Sequence, residues 1–221
     1  MLLFSLECSA AAASAAIYRD EKLLGEEFLN VPQTHSVTLL PMAKSLLEHT
    51  GISPAQIDYY AVSRGPGSFT GLRIGIAAIK GLAFPDDTPC IGVSTPEAIA
   101  YGLLGFEGTV IPMMDARCGQ VYTALFQGKD GRLTRLSEDE ALPLSELKEK
   151  LKSCTGPLWL CGDGAHLGLA AWGEELPVRM APAHLCCQRA SAVGLAAMQH
   201  LGEAVSPAAL VPCYLRPANA M

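Results

Sequence analysis

Between Tyr59 and Phe84 the chain reads YYAVSRGPGSFTGLRIGIAAIKGLAF, and this run narrows the folds open to it more than any other. Tyr59–Ser63 is a short apolar strand. A glycine-rich turn follows, Gly65-Pro66-Gly67-Ser68-Phe69-Thr70-Gly71, and the spacing predicts a helix from about Leu72 to Phe84. Leu72, Ile76, Ile79 and Ala83 share one face of that helix, and Gly71, Gly75, Ala78 and Leu82 share the next. Only Arg73 and Lys80 are charged, and their seven-residue offset puts them on one narrow stripe. A helix with a single buried side shows a broader polar face than this. It is therefore expected to be covered twice, once by its own sheet and once by a second body. Small residues at a four-residue offset let another backbone come close. That backbone belongs either to another part of the same chain or to a partner.

The turn has two readings as well. Glycine lets a chain leave a strand sharply, and Ser68 or Thr70 can cap the helix start. Bare amides at such a start can also hold an anion, which makes Gly65, Gly67 and Ser68 candidate phosphate contacts. The run is neither a Walker A loop nor G-x-G-x-x-G, and a structural turn is the simpler reading.

With 221 residues, half of them hydrophobic and 17% charged, the chain can bury one large core or two smaller ones. The formal net charge is −6, with 6 Lys/Arg and 10 Asp/Glu in residues 1–106 and 10 and 12 in residues 107–221. Neither part is a basic module, so nucleic-acid affinity is expected to come from a partner. The eight cysteines contain no C-x-x-C pair, and reduced thiols in a cytoplasmic protein are expected. The opening MLLFSLECSAAAASAAIY lacks a basic residue before its apolar run, so neither a signal peptide nor a membrane span is expected.

In chain order, Leu2–Leu6 is a buried strand ending in Glu7-Cys8-Ser9, followed by strands at Ala12–Tyr18 and near Leu23–Leu29. A helix over about Ser36–His49 carries Leu39, Met42, Ala43, Leu46 and Leu47 on its apolar face. Gly51 ends it, and Pro41 is expected to kink it or mark its start. A strand near Cys90–Val93 precedes a helix at Thr95–Leu104. Then the order begins again: strand Thr109–Met114, acidic Asp115, strand Val121–Phe126, the turn Gly128–Gly131 and a third strand. That recurrence points to two duplicated α/β lobes, 1–106 and 107–221. Leu158–Cys161 is a later strand running into Gly162-Asp163-Gly164, a further helix spans about Ala190–Leu201, and Val211–Arg216 is a closing segment that docks on the body.

Glu7 and Asp115 fall at equivalent strand ends. Such a pair either holds magnesium for phosphoryl transfer or binds the amides of its own turns. Ser9, Gly162 and Gly164 are further candidate nucleotide contacts, although the glycine spacing misses the dinucleotide fingerprint. None of the five histidines is paired at a four-residue offset, and no G-x-S-x-G elbow is present, so neither a helical metal site nor a protease is indicated.

The run Gly65–Gly75, GPGSFTGLRIG, closely resembles the signature of the TsaB (YeaZ) family of tRNA threonylcarbamoyladenosine biosynthesis proteins. Glu7-Cys8-Ser9, His35-Ser36 with Leu39-Leu40-Pro41, Asp115-Ala116-Arg117 and Tyr214-Leu215-Arg216 support the likeness, which covers nearly the whole chain. Departures occur at Cys8, where threonine is usual, and at Cys118 and Gln120, which replace a charged pair. The resemblance implies two actin-like (ribonuclease H-like) lobes, each a mixed sheet with flanking helices. It also implies a non-catalytic subunit supporting the transferase TsaD, with the ATPase TsaE joining and tRNA reached through the complex. A self-dimer is implied when TsaD is absent. No cofactor is implied for this chain alone; ATP or ADP would belong to the assembled complex. The partner interface it implies comprises His35, Ser36, Leu39, Leu40, Met42, Ala43, Leu46 and Leu47 of the first helix, and Gly71, Leu72, Ile74, Gly75, Ala78, Ile79 and Leu82 of the second. An actin-like phosphotransferase using Glu7 and Asp115 is the competing reading.

Overall fold

A strand that is apolar at nearly every position, rather than at every second one, is covered on both faces. β1 (Leu2–Glu7) is such a strand, buried along all but its first residue. The structure, a computed structural model, describes residues 1–31 and 33–216. β1 pairs antiparallel with β2 (Ala13–Arg19), which pairs antiparallel with β3 (Lys22–Leu29). On its other side β1 runs parallel to β4 (Tyr59–Gly65), and β4 to β5 (Cys90–Ser94), giving the order β3-β2-β1-β4-β5.

α1 (His35–Thr50) and α2 (Phe69–Ala83) pack on one face of this sheet, where Phe4, Leu6, Ile17, Tyr60 and Val62 meet Leu39, Leu46, Ile76 and Ile79. α1 runs unbroken through Pro41, whose side chain faces solvent, and ends at Gly51 in the left-handed conformation. α2 begins three residues earlier than its apolar pattern, because the Ser68 hydroxyl accepts the Gly71 amide at 3.2 Å and caps the first turn.

α3 (Thr95–Tyr101) is shorter than expected and unwinds at Gly102. β6 (Gly108–Asp115) then opens the second sheet. The single strand expected over Val121–Phe126 divides into β7 (Gln120–Thr123) and β8 (Phe126–Lys129). At Leu125 the backbone changes partners: its amide donates to Ser137 Oγ and its carbonyl accepts from Leu136. β7 pairs with the end of β6, β8 with its beginning, and β8 continues into β9 (Arg132–Arg135). β10 (Glu140–Pro143), α4 (Leu144–Leu151), β11 (Leu158–Cys161), α5 (Ala165–Trp172) and β12 (Val178–Met180) complete this sheet and its helical cover. Leu147, Leu151, Ala165 and Trp172 pack against Ile111, Met113, Leu158 and Leu160. β10, α4 and β12 were not expected.

The second sheet runs β10-β7-β6-β11-β12, with β6–β7 and β7–β10 antiparallel and β6–β11 and β11–β12 parallel. This repeats β3-β2-β1-β4-β5, so the lobes are duplicated; β7 and β8 together take the place of β2, and β10 beside β7 and β9 beside β8 share the place of β3.

Two compact units result, Met1–Ala98 with Gln188–Tyr214, and Ile99–Cys187 with Leu215 and Arg216. The expected boundary lies at 106/107; the units change over at 98/99, at 187/188 and at 214/215. The returning segment supplies α6 (Ala190–Ala197) to the face of the first sheet opposite α1 and α2. Ser5 Oγ donates to the Ala190 carbonyl at 2.7 Å, the Ala190 amide donates to Ser14 Oγ at 2.7 Å, and Tyr18 OH donates to the Ser191 carbonyl at 2.9 Å. Among the described residues no helix is long and apolar enough to cross a membrane.

Candidate functional site

Glu7, at the carboxyl end of β1, is fully buried. It accepts the Ser9 amide at 2.5 Å on one oxygen and the Ser63 hydroxyl on the other. Burial pushes its carboxyl above the ordinary range, although the bonds from Ser63 and Ser9 and the nearby His35 favour the charged form. Asp115 does the same local work at the end of β6, accepting the Arg117 amide at 2.8 Å. Each carboxylate thus accepts an amide of the turn that follows its strand. Among the described residues no three His, Cys, Asp or Glu stand together as a metal site. Gly162 and Gly164 serve close packing, since a Cβ would stand 2.3 Å from the Met113 carbonyl oxygen at the first and 2.8 Å from the Asp115 amide at the second.

The turn Gly65–Ser68 is likewise tied down. Ser68 donates its amide to the Ser9 carbonyl at 2.7 Å, and the Arg64 carbonyl accepts the Cys213 amide at 2.7 Å. A Cβ on Gly65 would lie 2.1 Å from the Cys213 carbonyl oxygen. Gly67 is half-buried beside it.

The second cover of α2 is largely the chain itself. A Cβ on Gly71 would stand 2.1 Å from the Cys8 carbonyl oxygen, and one on Gly75 2.7 Å from Cys8 Sγ. The backbone that the small residues admit is therefore the end of β1. Leu72, Ala78 and Ile79 are buried with them, as are Leu39, Met42, Ala43, Leu46 and Leu47 of α1. These eight residues and the two glycines form the inner side of the helix pair and build the core of the first unit. The Arg73 and Lys80 stripe is crossed by a strap, residues 204–214, that leaves Arg73 exposed and Lys80 half-buried. Lys80 Nζ donates to the Ala208 carbonyl at 3.1 Å and Arg73 Nε to Tyr214 OH at 3.0 Å. Val205 pairs with Cys90 at the edge of β5.

What remains outward on α1 and α2 includes an apolar patch beside the exposed Lys44, Glu48 and Arg73. Ser36 and Leu40 are exposed and His35, Ile74 and Leu82 half-buried; His35 Nε2 meets the Ala10 carbonyl at 2.7 Å. Val37 is 64% exposed, Leu40 52%, and Phe84, just past α2, 70%. A groove of about 960 Å³ opens beside α1, lined by its Leu40, Pro41 and Leu47, by Ile52 and Pro54 of the segment that follows, and by Leu82 of α2. Lys44 and Glu48 stand at its rim, 3.7 Å apart. The sequence reasoning named Leu40, Leu47 and Leu82 but missed Val37, Pro41, Pro54 and Phe84. Val37, Leu40, Pro41 and Lys44 follow the i, i+3, i+4, i+7 rule, so a second stripe beside the core one was the available signal.

Comparison with known proteins gives concordant matches. The family model described as TsaD, tRNA N6-adenosine threonylcarbamoyltransferase, matches residues 29–154. The tRNA threonylcarbamoyladenosine biosynthesis protein TsaB of Bacillus subtilis is 31% identical over 220 residues, covering 100% of this chain and 96% of its own length. That of Escherichia coli is 34% identical over 167 residues, 74% of this chain and 72% of the relative. Among solved structures, YeaZ from Pseudomonas aeruginosa superposes with a TM-score of 0.80 at 27% identity, covering 97% of this chain and 99% of the other.

Proposed function

The chain belongs to the TsaB (YeaZ) family, and from that membership we propose that it serves tRNA threonylcarbamoyladenosine biosynthesis as an accessory subunit that holds a TsaD-type transferase subunit. The observation that carries this reading is the open apolar groove beside α1, which Leu82 of α2 also lines. Grooves of this shape accept the apolar face of a helix. Exposed Val37, Leu40 and Phe84 extend the same surface, and scattered apolar residues need no explanation where a contiguous patch does. In this reading the chain contributes binding rather than chemistry. Glu7 is buried with both oxygens engaged, which supports a structural part for it rather than phosphoryl transfer. A TsaE-type ATPase joins the pair, and a second copy of the chain takes the groove when the transferase subunit is absent.

The test replaces Leu40 by Asp. Leu40 is half-exposed in the free chain, so the fold is expected to tolerate the change. A carboxylate buried unpaired in an interface costs several kcal/mol, about 3 or more. Mixed with the TsaD-type subunit, wild type should sediment as a complex and L40D as separate chains, with tRNA modification lost in parallel. A folded L40D that still assembles with wild-type affinity would remove the groove from the interface.

A further inference from the structure

Over β4, α2 and the strap, residues 59–84 and 204–214, the chain carries Arg64, Arg73 and Lys80 and no carboxylate, although its net charge is −6. Among the described residues none of the three forms an ion pair, whereas Lys44 and Arg189 of the same unit do. Arg73 lies over the Phe69 ring at 3.9 Å, and Phe69 stacks on Tyr214 with centroids 4.8 Å apart. The bond from Arg73 Nε to Tyr214 OH leaves the two terminal amino groups of this exposed side chain without a hydrogen bond among the described residues. Arg64 is exposed, and its carbonyl is held by the Cys213 amide, one residue from Tyr214. The strap thus holds the Lys80 ammonium through a carbonyl, the Arg73 guanidinium through a phenol and Arg64 through its backbone, none of which neutralises a charge.

The stripe also lies apart from the groove. Leu82 follows Lys80 by two residues and so points about 160° away from it around the helix. Leu82 lines the groove, and Lys80 meets the strap. A protein held in the groove leaves the cations open.

Fixed, unneutralised cations beside a stacked aromatic pair are the arrangement that receives a phosphate backbone. A chain of net charge −6 repels a polyanion elsewhere, so such a contact has to be local. We propose that Arg64, Arg73 and Lys80 contact the phosphodiester backbone of the tRNA when the chain is assembled with its transferase subunit. This rests on the function proposed above.

The experiment measures tRNA binding to the assembled complex by fluorescence anisotropy over a range of salt. Each phosphate contact adds about 0.7–0.9 to the slope of log affinity against log salt. R64Q/R73Q should lower that slope by about 1.5 and weaken binding about tenfold at 0.1 M salt, with assembly intact. R64K/R73K keeps the charges and should keep the slope, which separates charge from folding. Wild-type affinity and slope in a folded R64Q/R73Q complex would overturn the proposal. So would polyglutamate of equal charge competing as well as tRNA, which would mark an acidic protein segment as the ligand. Failure of the wild-type chain to assemble would remove the accessory-subunit reading instead. The contact would then be decided on the chain alone at low salt, where it predicts binding that R64Q/R73Q loses and where no wild-type binding would overturn it.

Discussion

Replacing Gly71 by Ala puts a methyl group 2.1 Å from the Cys8 carbonyl oxygen. Ordinary carbon–oxygen contact is about 3.3 Å, so α2 and the end of β1 must separate by about 1 Å. Neither side yields easily, because the obstacle is buried main chain in the turn directly after the central strand β1. The thiol of Cys8 donates to the Gly71 carbonyl at 3.1 Å, and the Ser68 amide to the Ser9 carbonyl at 2.7 Å, so both bonds lengthen. Overpacking of this kind costs about 3 kcal/mol at the upper end of its range. The better helix propensity of alanine returns about 1 kcal/mol. A net loss of about 2 kcal/mol is expected, read as a lower urea midpoint with unchanged slope. Gly81 in the same helix is the internal control, since nothing lies within 4 Å of its Cβ position; Gly81→Ala should gain about 1 kcal/mol. Gly75→Ala should fall between, because the Cys8 thiol can turn aside. Equal stability of Gly71→Ala and wild type, or equal losses at 71 and 81, would refute the close-approach argument.

Burial holds the Glu7 carboxyl above its ordinary value, so its stabilising form is the protonated one. That contribution is complete below about pH 4.3 and is lost as pH rises through the raised value. Glu7→Gln should flatten the stability–pH profile above that point; urea titrations at stepped pH decide it, and an unaltered profile would contradict it. At His200, burial lowers the imidazole pKa but bonds to Glu97 at 3.0 Å and Glu203 at 2.9 Å outweigh it, so the pKa is raised. The stability it adds is full below about pH 6.5 and is lost as pH climbs through the raised value. His200→Gln should remove that dependence while leaving the acid limb unchanged, as followed by thermal midpoints from pH 6 to 9. Leu82→Asp should weaken assembly as Leu40→Asp does, by at least tenfold in sedimentation, whereas Leu104→Asp in the second unit should not.

What the sequence disclosed was what local spacing carries. The continuous apolar run of β1, the 3.6-residue rhythm of Leu39, Met42, Leu46 and the recurrence of Asp115 after Glu7 announced the sheets, α1 and the duplication. The narrow charged stripe of Arg73 and Lys80 correctly signalled a twice-covered helix. Its cover stayed hidden, because Lys80 reaches Ala208, 128 residues away, and no periodicity encodes such a pairing. The small residues Gly71 and Gly75 showed that some backbone comes close, yet only packing reveals that it is that of Cys8. The break at Leu125 was silent because the residues on both sides suit a strand and only the change of hydrogen-bond partner divides them. Inside and outside faces of α1 were merged for a related reason: Val37 and Leu40 are as apolar as the core residues beside them.

The return of residues 188–214 to the first sheet has a consequence for biosynthesis. α6 seals the face of β1 and β2 through Ser5, Ser14 and Tyr18, and it leaves the ribosome only after the whole intervening unit. The lobe begun first is thus finished last, and its strands wait with one side bare while the other lobe can already condense. Truncation before Ala190 would therefore injure the amino-terminal lobe, and a nascent chain stalled there should be the form most in need of a chaperone.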